Sequence, residues 1–307
     1  MSASETFNYS VIIPHKNCID LLARCIASIP ERDDLEIIVI DDNSGIPEDD
    51  FPFMDRPHLR YIFLDASDSN YAGHARNAGL KLAKGRWMLF ADADDYYTDA
   101  LNGLLENFKN DDKHDIVYLG AIVEDEFKNS KEYYMNLYIR DYLANKSYSE
   151  MLMRYALWTP WTRMVKRDML TRHNIKFEEC KTGNDVRFGL EVSRYAANIT
   201  CWQEPVYSYY RPTFGSITDK YDDIGNLETI MLRRLRTNRF YSSVGFRYKL
   251  PVLWLCKTPS TITKDKKKQY LAHFWKLFRK HRVNIFVELR NAVVWKVASM
   301  LNIIKVG

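Results

Sequence analysis

Two short apolar runs in this chain end abruptly in carboxylates, and that pattern constrains the fold more than any other feature. Trp87-Met88-Leu89-Phe90-Ala91 empties into Asp92-Ala93-Asp94-Asp95, and Ile37-Ile38-Val39-Ile40 into Asp41-Asp42-Asn43-Ser44-Gly45. Runs of four to eight apolar residues bounded by turn formers read as buried strands. Tyr9 to Pro14, Arg60 to Leu64 and Asp115 to Val123 read the same way. Between them, Leu21, Leu22, Cys25, Ile26 and Ile29 recur at helical spacing, the Ala-rich Tyr71–Lys84 stretch reads as a helix with Gly85 as its C-terminal cap, and Asp99–Lys109 reads as another. Strands alternating with helices predict an α/β domain with a Rossmann-like, mostly parallel central sheet and flanking helices.

Ligands of open α/β sheets bind at the carboxyl ends of strands. Asn17, Asp42 and Asp92 to Asp95 are therefore expected to line one crevice. Crowded carboxylates at a strand end repel one another, and a divalent cation relieves that repulsion. Hard oxygen ligands suit Mn²⁺ or Mg²⁺, held between one or two carboxylates and substrate phosphates. A solvated acidic turn is the alternative for Asp-x-Asp alone. No Gly-x-Gly-x-x-Gly follows the first strand, so nothing marks a dinucleotide-dependent dehydrogenase. The Gly-rich basic loop of a sugar nucleotidyltransferase is missing as well.

Further along, Lys146–Leu157 reads as a helix, Thr159–Arg167 as an aromatic and basic link, and Asn184–Val192 as a helix with Asp185 near its start. Glu204–Arg211 reads as an edge strand, followed by a Gly- and Pro-punctuated loop over 212–218. From Leu227 onward the pattern is helical. The last segment, Asn284–Val306, carries a polar stripe of Asn284, Glu288, Asn291, Ser299 and Asn302, with Phe286, Val293, Val297, Leu301 and Ile304 among its apolar positions.

The 307 residues are 46% apolar and 14% aromatic, a globular composition. The net charge of +4 hides an asymmetry: residues 226–307 hold 18 Lys/Arg against 3 Asp/Glu, leaving 26 against 37 in residues 1–225. A basic, aromatic-rich tail behind an acidic body suggests contact with an anionic surface, here the inner face of a cell membrane, the alternative being packing on the rest of the chain or on a second copy. No recognition motif accompanies the charge, so nucleic acid is not an expected partner. Five scattered cysteines without a Cys-x-x-Cys pair predict neither zinc nor disulfides and fit a reducing cytoplasm. No signal peptide or transmembrane helix is expected.

Several motifs coincide in order: Val11-Ile12-Ile13-Pro14-His15-Lys16-Asn17, Ile38-Val39-Ile40-Asp41-Asp42-Asn43-Ser44, Ala75-Arg76-Asn77-Ala78-Gly79, and Gly85-Arg86 through Asp92-Ala93-Asp94-Asp95. Weaker matches follow at Trp161-Thr162-Arg163-Met164, Asn184-Asp185, and Tyr210-Arg211 to Ser216-Ile217-Thr218. Together they resemble the family-2 glycosyltransferases of the GT-A fold, over about residues 8–220 and not over the basic tail. The resemblance implies an inverting, metal-dependent transfer of a sugar from a nucleotide-diphosphate donor, UDP-sugar first among them, to a hydroxyl of a glycan or lipid-linked acceptor in surface polysaccharide synthesis.

It also implies roles. Pro14, His15, Asn17 and Asp42 would contact the nucleotide, with Asp42 accepting from a base imide or a ribose hydroxyl. Asp94 and Asp95, supported by Asp92, would hold Mn²⁺ or Mg²⁺. Arg76 would pair with Asp or phosphate, Arg211 would reach the diphosphate, and Asp185 would be the catalytic base, although Asn184 stands where the family usually has Glu or Gln. Trp161 reads as core packing. The domains expected are 1–225, catalytic, with a nucleotide-sugar half over 1–110 and an acceptor half over 111–225, and 226–307, helical and basic. A homo-oligomer is compatible with this pattern. The other reading is a non-catalytic nucleotide-sugar-binding or scaffold subunit.

Overall fold

The computed structural model describes residues 7–65, 71–125, 130–211, 224–257, 264–301 and 303–304. The chain divides into two compact units, Met1–Arg211 and Pro212–Gly307.

The first unit opens with β1 (Tyr9–His15), α1 (Ile19–Ala27), β2 (Leu35–Asp41), β3 (Leu59–Phe63), α2 (Tyr71–Leu82), β4 (Trp87–Phe90), β5 (Tyr96–Tyr97), α3 (Ala100–Phe108) and β6 (Ile116–Asp125). It continues with β7 (Ser130–Glu132), α4 (Met135–Leu143), α5 (Ser149–Tyr155), β8 (Arg163–Lys166), α6 (Arg167–Arg172), α7 (Asn184–Tyr195) and β9 (Ile199–Arg211). One sheet runs β3-β2-β1-β4-β8-β6-β9-β5, with β7 paired to β6. Its longer ladders, β1–β2, β2–β3, β1–β4 and β6–β9, are parallel, and the short β8, β5 and β7 join antiparallel. This is the mostly parallel GT-A arrangement that the motifs imply.

β1, β2 and β4 are buried on both faces and mostly apolar, as strands of a parallel sheet between helices must be. In α1, Leu22, Cys25 and Ile26 pack at i, i+3 and i+4. Buried Glu36 ties the sheet to the turn after α2. Its carboxylate accepts from Ser10 Oγ (2.6 Å), Lys84 N–H (2.6 Å), Gly85 N–H (3.2 Å) and Arg60 (2.7 Å). Gly85 is needed there for close approach. A Cβ would lie 2.5 Å from the Ser10 backbone nitrogen, its φ is not positive, and α2 has already ended at Leu82, so it is not the expected helix cap.

Two other expectations are revised. The basic link 159–167 contains β8, in which Arg163 is fully buried, donating to the carbonyls of Leu157 (2.7 Å) and Gly189 (3.1 Å) and to Ser193 Oγ (3.1 Å). β9 is longer than the expected edge strand and is paired on both sides at Tyr207 and Ser208. Elements β5, β7, α4 and α6 were not legible in the periodicity.

The second unit holds α8 (Leu227–Ser243), α9 (Lys264–Lys280) and α10 (Ile285–Met300). Its own core joins Leu227, Met231, Val252, Tyr270, Phe274, Leu277 and Phe278. Among the described residues no helix is long and apolar enough to cross a membrane.

Candidate active site

β1, β2 and β4 are neighbours, so His15, Asp41-Asp42 and Asp92 to Asp95 emerge at one end of the sheet. The loops that follow are fixed by short-range bonds. Asp41 accepts from His15 Nδ1 (2.7 Å) and from the Ser44 backbone N–H (2.9 Å). Asn17 and Asn43 take positive φ angles of 58° and 56°, which Asn tolerates better than most side chains, and the Asn17 N–H donates to Ser44 Oγ (2.9 Å). His15 Nε2 accepts from the Cys18 N–H (3.2 Å), so both ring nitrogens are engaged within the protein. His15 therefore braces the two loops. Pro14 is half-buried beside it and Asn17 is exposed. Asp42 is buried. Its N–H donates to the His15 carbonyl (2.8 Å), and Lys16 Nζ donates to its carboxylate (3.2 Å).

The three carboxylates after β4 have different surroundings. Asp95 is fully buried, with Oδ2 accepting from the Tyr207 hydroxyl (2.7 Å) and Oδ1 from the Tyr210 N–H (2.7 Å). Both of its oxygens accept hydrogen bonds within the fold, so Asp95 anchors the loop to β9. The same Tyr207 hydroxyl accepts from the Asp92 N–H (2.9 Å). Arg24 of α1 donates to the Asp94 carbonyl (2.6 Å) and lies over the rings of Tyr96 and Tyr210. Asp92 keeps 32% of its side chain exposed and Asp94 is half-buried. Burial, and then the Asp92 charge, push the Asp94 carboxyl up to about 6. Burial, with Asp92 and Asp94 next, pushes Asp95 well above the usual range against its two hydrogen bonds.

Asp92 and Asp94 fit a divalent cation: two accessible carboxylates with one residue between them, Asp94 in surroundings that disfavour its charge. No cluster of three or more His, Cys, Asp or Glu side chains that could hold a metal occurs among the described residues. An ion here would need substrate oxygens to complete its shell, which is how Mg²⁺ is usually bound.

Arg76 joins this cluster to the other half of the unit. It is buried on α2, paired with Asp92, and donates from Nη1 to Asn184 Oδ1 (2.9 Å). α2 can approach α7 this closely because Gly73 has no side chain; a Cβ there would meet the Glu178 carbonyl at 2.1 Å and the Asn184 Cβ at 2.9 Å. Asp185 follows Asn184 in the first turn of α7, where the helix dipole favours the ionised form. The N-cap itself is Gly183, so Asp185 does not serve as the cap. Its charge helps raise the Tyr134 phenol, whose shift comes mainly from burial. Arg211 ends β9, and its side chain, like the 212–218 loop, lies outside the described residues. A separate cavity of about 640 Å³, lined by Lys84, Arg86, Lys166 and Arg167 among others, opens near the amino ends of β1 and β4, away from these carboxylates.

The family model described as "Glycosyl transferase family 2" matches residues 10–169, just over half of the chain and every strand-end motif above. The chain belongs to glycosyl transferase family 2. It is 27% identical over 227 residues to the "Uncharacterized glycosyltransferase EpsJ" of Bacillus subtilis, a match covering 68% of this chain and 62% of that protein. The Staphylococcus aureus TarS fragment 1–349, solved "in complex with UDP-GlcNAc", superposes with a TM-score of 0.57 at 18% identity, over 89% of this chain and 72% of that one. The mannosyltransferase PcManGT of Pyrobaculum calidifontis, solved "in complex with GDP-Man and Mn2+", superposes at 0.52 and 15% identity, over 98% and 82%.

Within this family-2 fold, the structure brings Asp42, Asp92 and Asp94 to one strand end, and Arg76 bridges from Asp92 to the residue before Asp185. Sequence reasoning missed Tyr207 and Arg24, which hold the carboxylate loop. Tyr207 and Tyr209 share one face of β9 and stack on Trp161, with centroids 4.7 and 5.6 Å from it. The alternation Tyr207-Ser208-Tyr209 was the available signal. Trp161 packs in the core, as read.

Proposed function

We propose that the chain is a metal-dependent inverting glycosyltransferase that moves a sugar from a nucleoside-diphosphate donor, a UDP-sugar, to a hydroxyl of a glycan or lipid-linked acceptor in surface polysaccharide synthesis. It would work in the cytoplasm, its basic C-terminal unit meeting the membrane. The observation that carries this is the Arg76 bridge, which links the Asp92–Asp94 carboxylates to the turn bearing Asp185. A UDP-sugar in the TarS relative and Mn²⁺ with a nucleotide-sugar in PcManGT support the donor class and the metal.

Asp42 accepts from the base imide or a ribose hydroxyl. Asp94 and Asp92 would hold Mn²⁺ or Mg²⁺, which would supply positive charge against the leaving diphosphate. Arg76 fixes the Asp92 rotamer and stays paired, so its charge offsets the carboxylate cluster. Asp185 takes the proton of the acceptor hydroxyl as that oxygen attacks the anomeric carbon opposite the leaving group, inverting its configuration. A positioned base contributes about 10²–10⁴-fold.

A thermal-shift screen of UDP-, GDP-, CMP- and dTDP-sugars, with and without Mn²⁺, identifies the donor, because a ligand of the native state raises its stability. With that donor, Asp185→Asn is expected to keep the shift and lose about 10²–10⁴-fold in transfer. Asp94→Asn is expected to lose the Mn²⁺-dependent part of the shift. No shift with any nucleotide-sugar, or full transfer by Asp185→Asn, overturns the reading.

A further inference from the structure

The last helix buries two polar side chains and leaves a row of large apolar ones exposed. Sequence periodicity gives α10 a polar and an apolar stripe, and a helix of a soluble unit normally buries the apolar one. Here Glu288, only 3% exposed, and Asn291 point inward. Glu288 Oε2 accepts from the backbone N–H groups of Val252 (2.5 Å) and Leu253 (3.3 Å), and Oε1 from Asn291 (3.4 Å). The outward arc holds Phe286 (79% exposed), Leu289, Val293, Val297, Met300 (74%) and Leu301. Phe286 to Met300 follow one another at three- or four-residue steps, and Leu301 at the C-cap lies four beyond Val297, a continuous stripe along the whole helix.

The charges on this arc decide what it fits. Arg290 and Lys296 are exposed on it, whereas Glu288, the only carboxylate of α10, is inside. On α9, Leu271 and Trp275 are exposed at i and i+4 beside Lys268, Lys276 and Arg279, also exposed. Residues 226–307 carry 18 basic side chains against 3 acidic ones. Of those three, Glu228 is already paired with Lys280 and His281, and Glu288 with backbone. A second copy of the chain would bring like charges together. An apolar stripe rimmed by Arg and Lys, with an exposed Trp, matches an anionic lipid surface, in which the stripe enters the acyl boundary and the cations meet headgroups.

We propose that α10 is an interfacial membrane anchor, lying in the plane of an anionic bilayer with Phe286, Val293, Val297 and Met300 inserted. The proposal gives the membrane contact of the preceding section a particular helix face, and it rests on that reading only for its purpose, delivery of the enzyme to lipid-linked acceptors.

The full chain is tested by co-sedimentation with vesicles of phosphatidylcholine alone and of phosphatidylcholine with phosphatidylglycerol. It is expected to pellet with the second, less so at high salt, and only weakly with the first. Val293→Glu and Phe286→Ser alter exposed positions, so folding is kept, as a donor-induced thermal shift equal to that of the parent will show. Each is expected to weaken vesicle binding about tenfold or more. Arg290→Gln with Lys296→Gln is expected to weaken only the phosphatidylglycerol-dependent part, severalfold. Binding unaffected by Val293→Glu and Phe286→Ser, or no vesicle binding, overturns the proposal. So does a concentration-dependent dimer in sedimentation equilibrium that Val293→Glu dissociates, which assigns the stripe to a second copy. The donor shift itself reports on the transferase reading, so the two failures are distinguishable.

Discussion

Asp95 commits both carboxylate oxygens to Tyr207 and to the Tyr210 backbone, whereas Asp94, one residue earlier, lies half-buried next to Asp92 with its carboxyl pushed up to about 6. Such a residue lowers the stability of the metal-free fold once ionised. The folded value lies above the ordinary 3.8, so the folded state binds a proton more tightly than the unfolded chain does. Stability from this group is complete below about pH 4 and is lost as pH rises through 6. In EDTA at pH 7.5, Asp94→Asn is therefore expected to melt higher than the parent by about 2–4 °C, the equivalent of about 1 kcal/mol. At pH 4 the gain should vanish, because Asp94 is then already neutral. With Mn²⁺ the order should reverse, since only the parent gains from the ion. Melting curves at the two pH values settle it; an equal gain at both removes the charge as the cause.

At the scale of elements, the site depends on how closely α2 packs against the segment leading into α7. Gly73→Ala forces a Cβ into the Glu178 carbonyl, 2.1 Å away, and into Asn184. Backbone cannot yield as a flexible side chain does, so α2 and the start of α7 must separate. Overpacking of this kind costs about 1–3 kcal/mol. The expected result is a lower melting temperature together with a fall in transfer larger than the unfolded fraction explains, because the Arg76–Asn184 bond stretches and Asp185 moves. A circular-dichroism melt beside a transfer assay on folded protein checks both. Loss of stability with unaltered specific activity would mean that the Arg76 bridge does not set Asp185.

β1, β2, β4 and α1 were legible in the sequence because each carries enough apolar positions to reveal its period, and because their carboxylate ends mark the ligand edge. β8 was not legible: four residues with a buried Arg163 and a terminal Lys166 read as a basic link, since the carbonyls that satisfy Arg163 come from residues 157 and 189. The role of Tyr207 was hidden for the same reason, its partner Asp95 being 112 residues away. In α10 the period was visible, but a period gives two stripes and not which one faces inward. That was fixed by two backbone N–H groups near Val252 that need Glu288 as acceptor.

Over the whole molecule, the first 225 residues are acidic and the last 82 basic, and each of the two compact units has its own apolar core. A donor bound at the β1–β2–β4 edge stabilises the first unit through its own affinity, by about 2.7 kcal/mol at a hundredfold excess over Kd. The Leu227–Phe278 core belongs to the other unit. Glu288→Ala leaves the Val252 and Leu253 N–H groups without their acceptor, at a cost of about 1–3 kcal/mol to the second unit. Glu288→Gln retains an acceptor oxygen and should cost less. Differential scanning calorimetry of Glu288→Ala with saturating donor and Mn²⁺ is therefore expected to show a lowered transition that the ligand does not rescue, beside a transition raised as in the parent. A single transition that donor fully restores would mean that the two units unfold as one cooperative body, and that the basic unit takes its stability from the catalytic one.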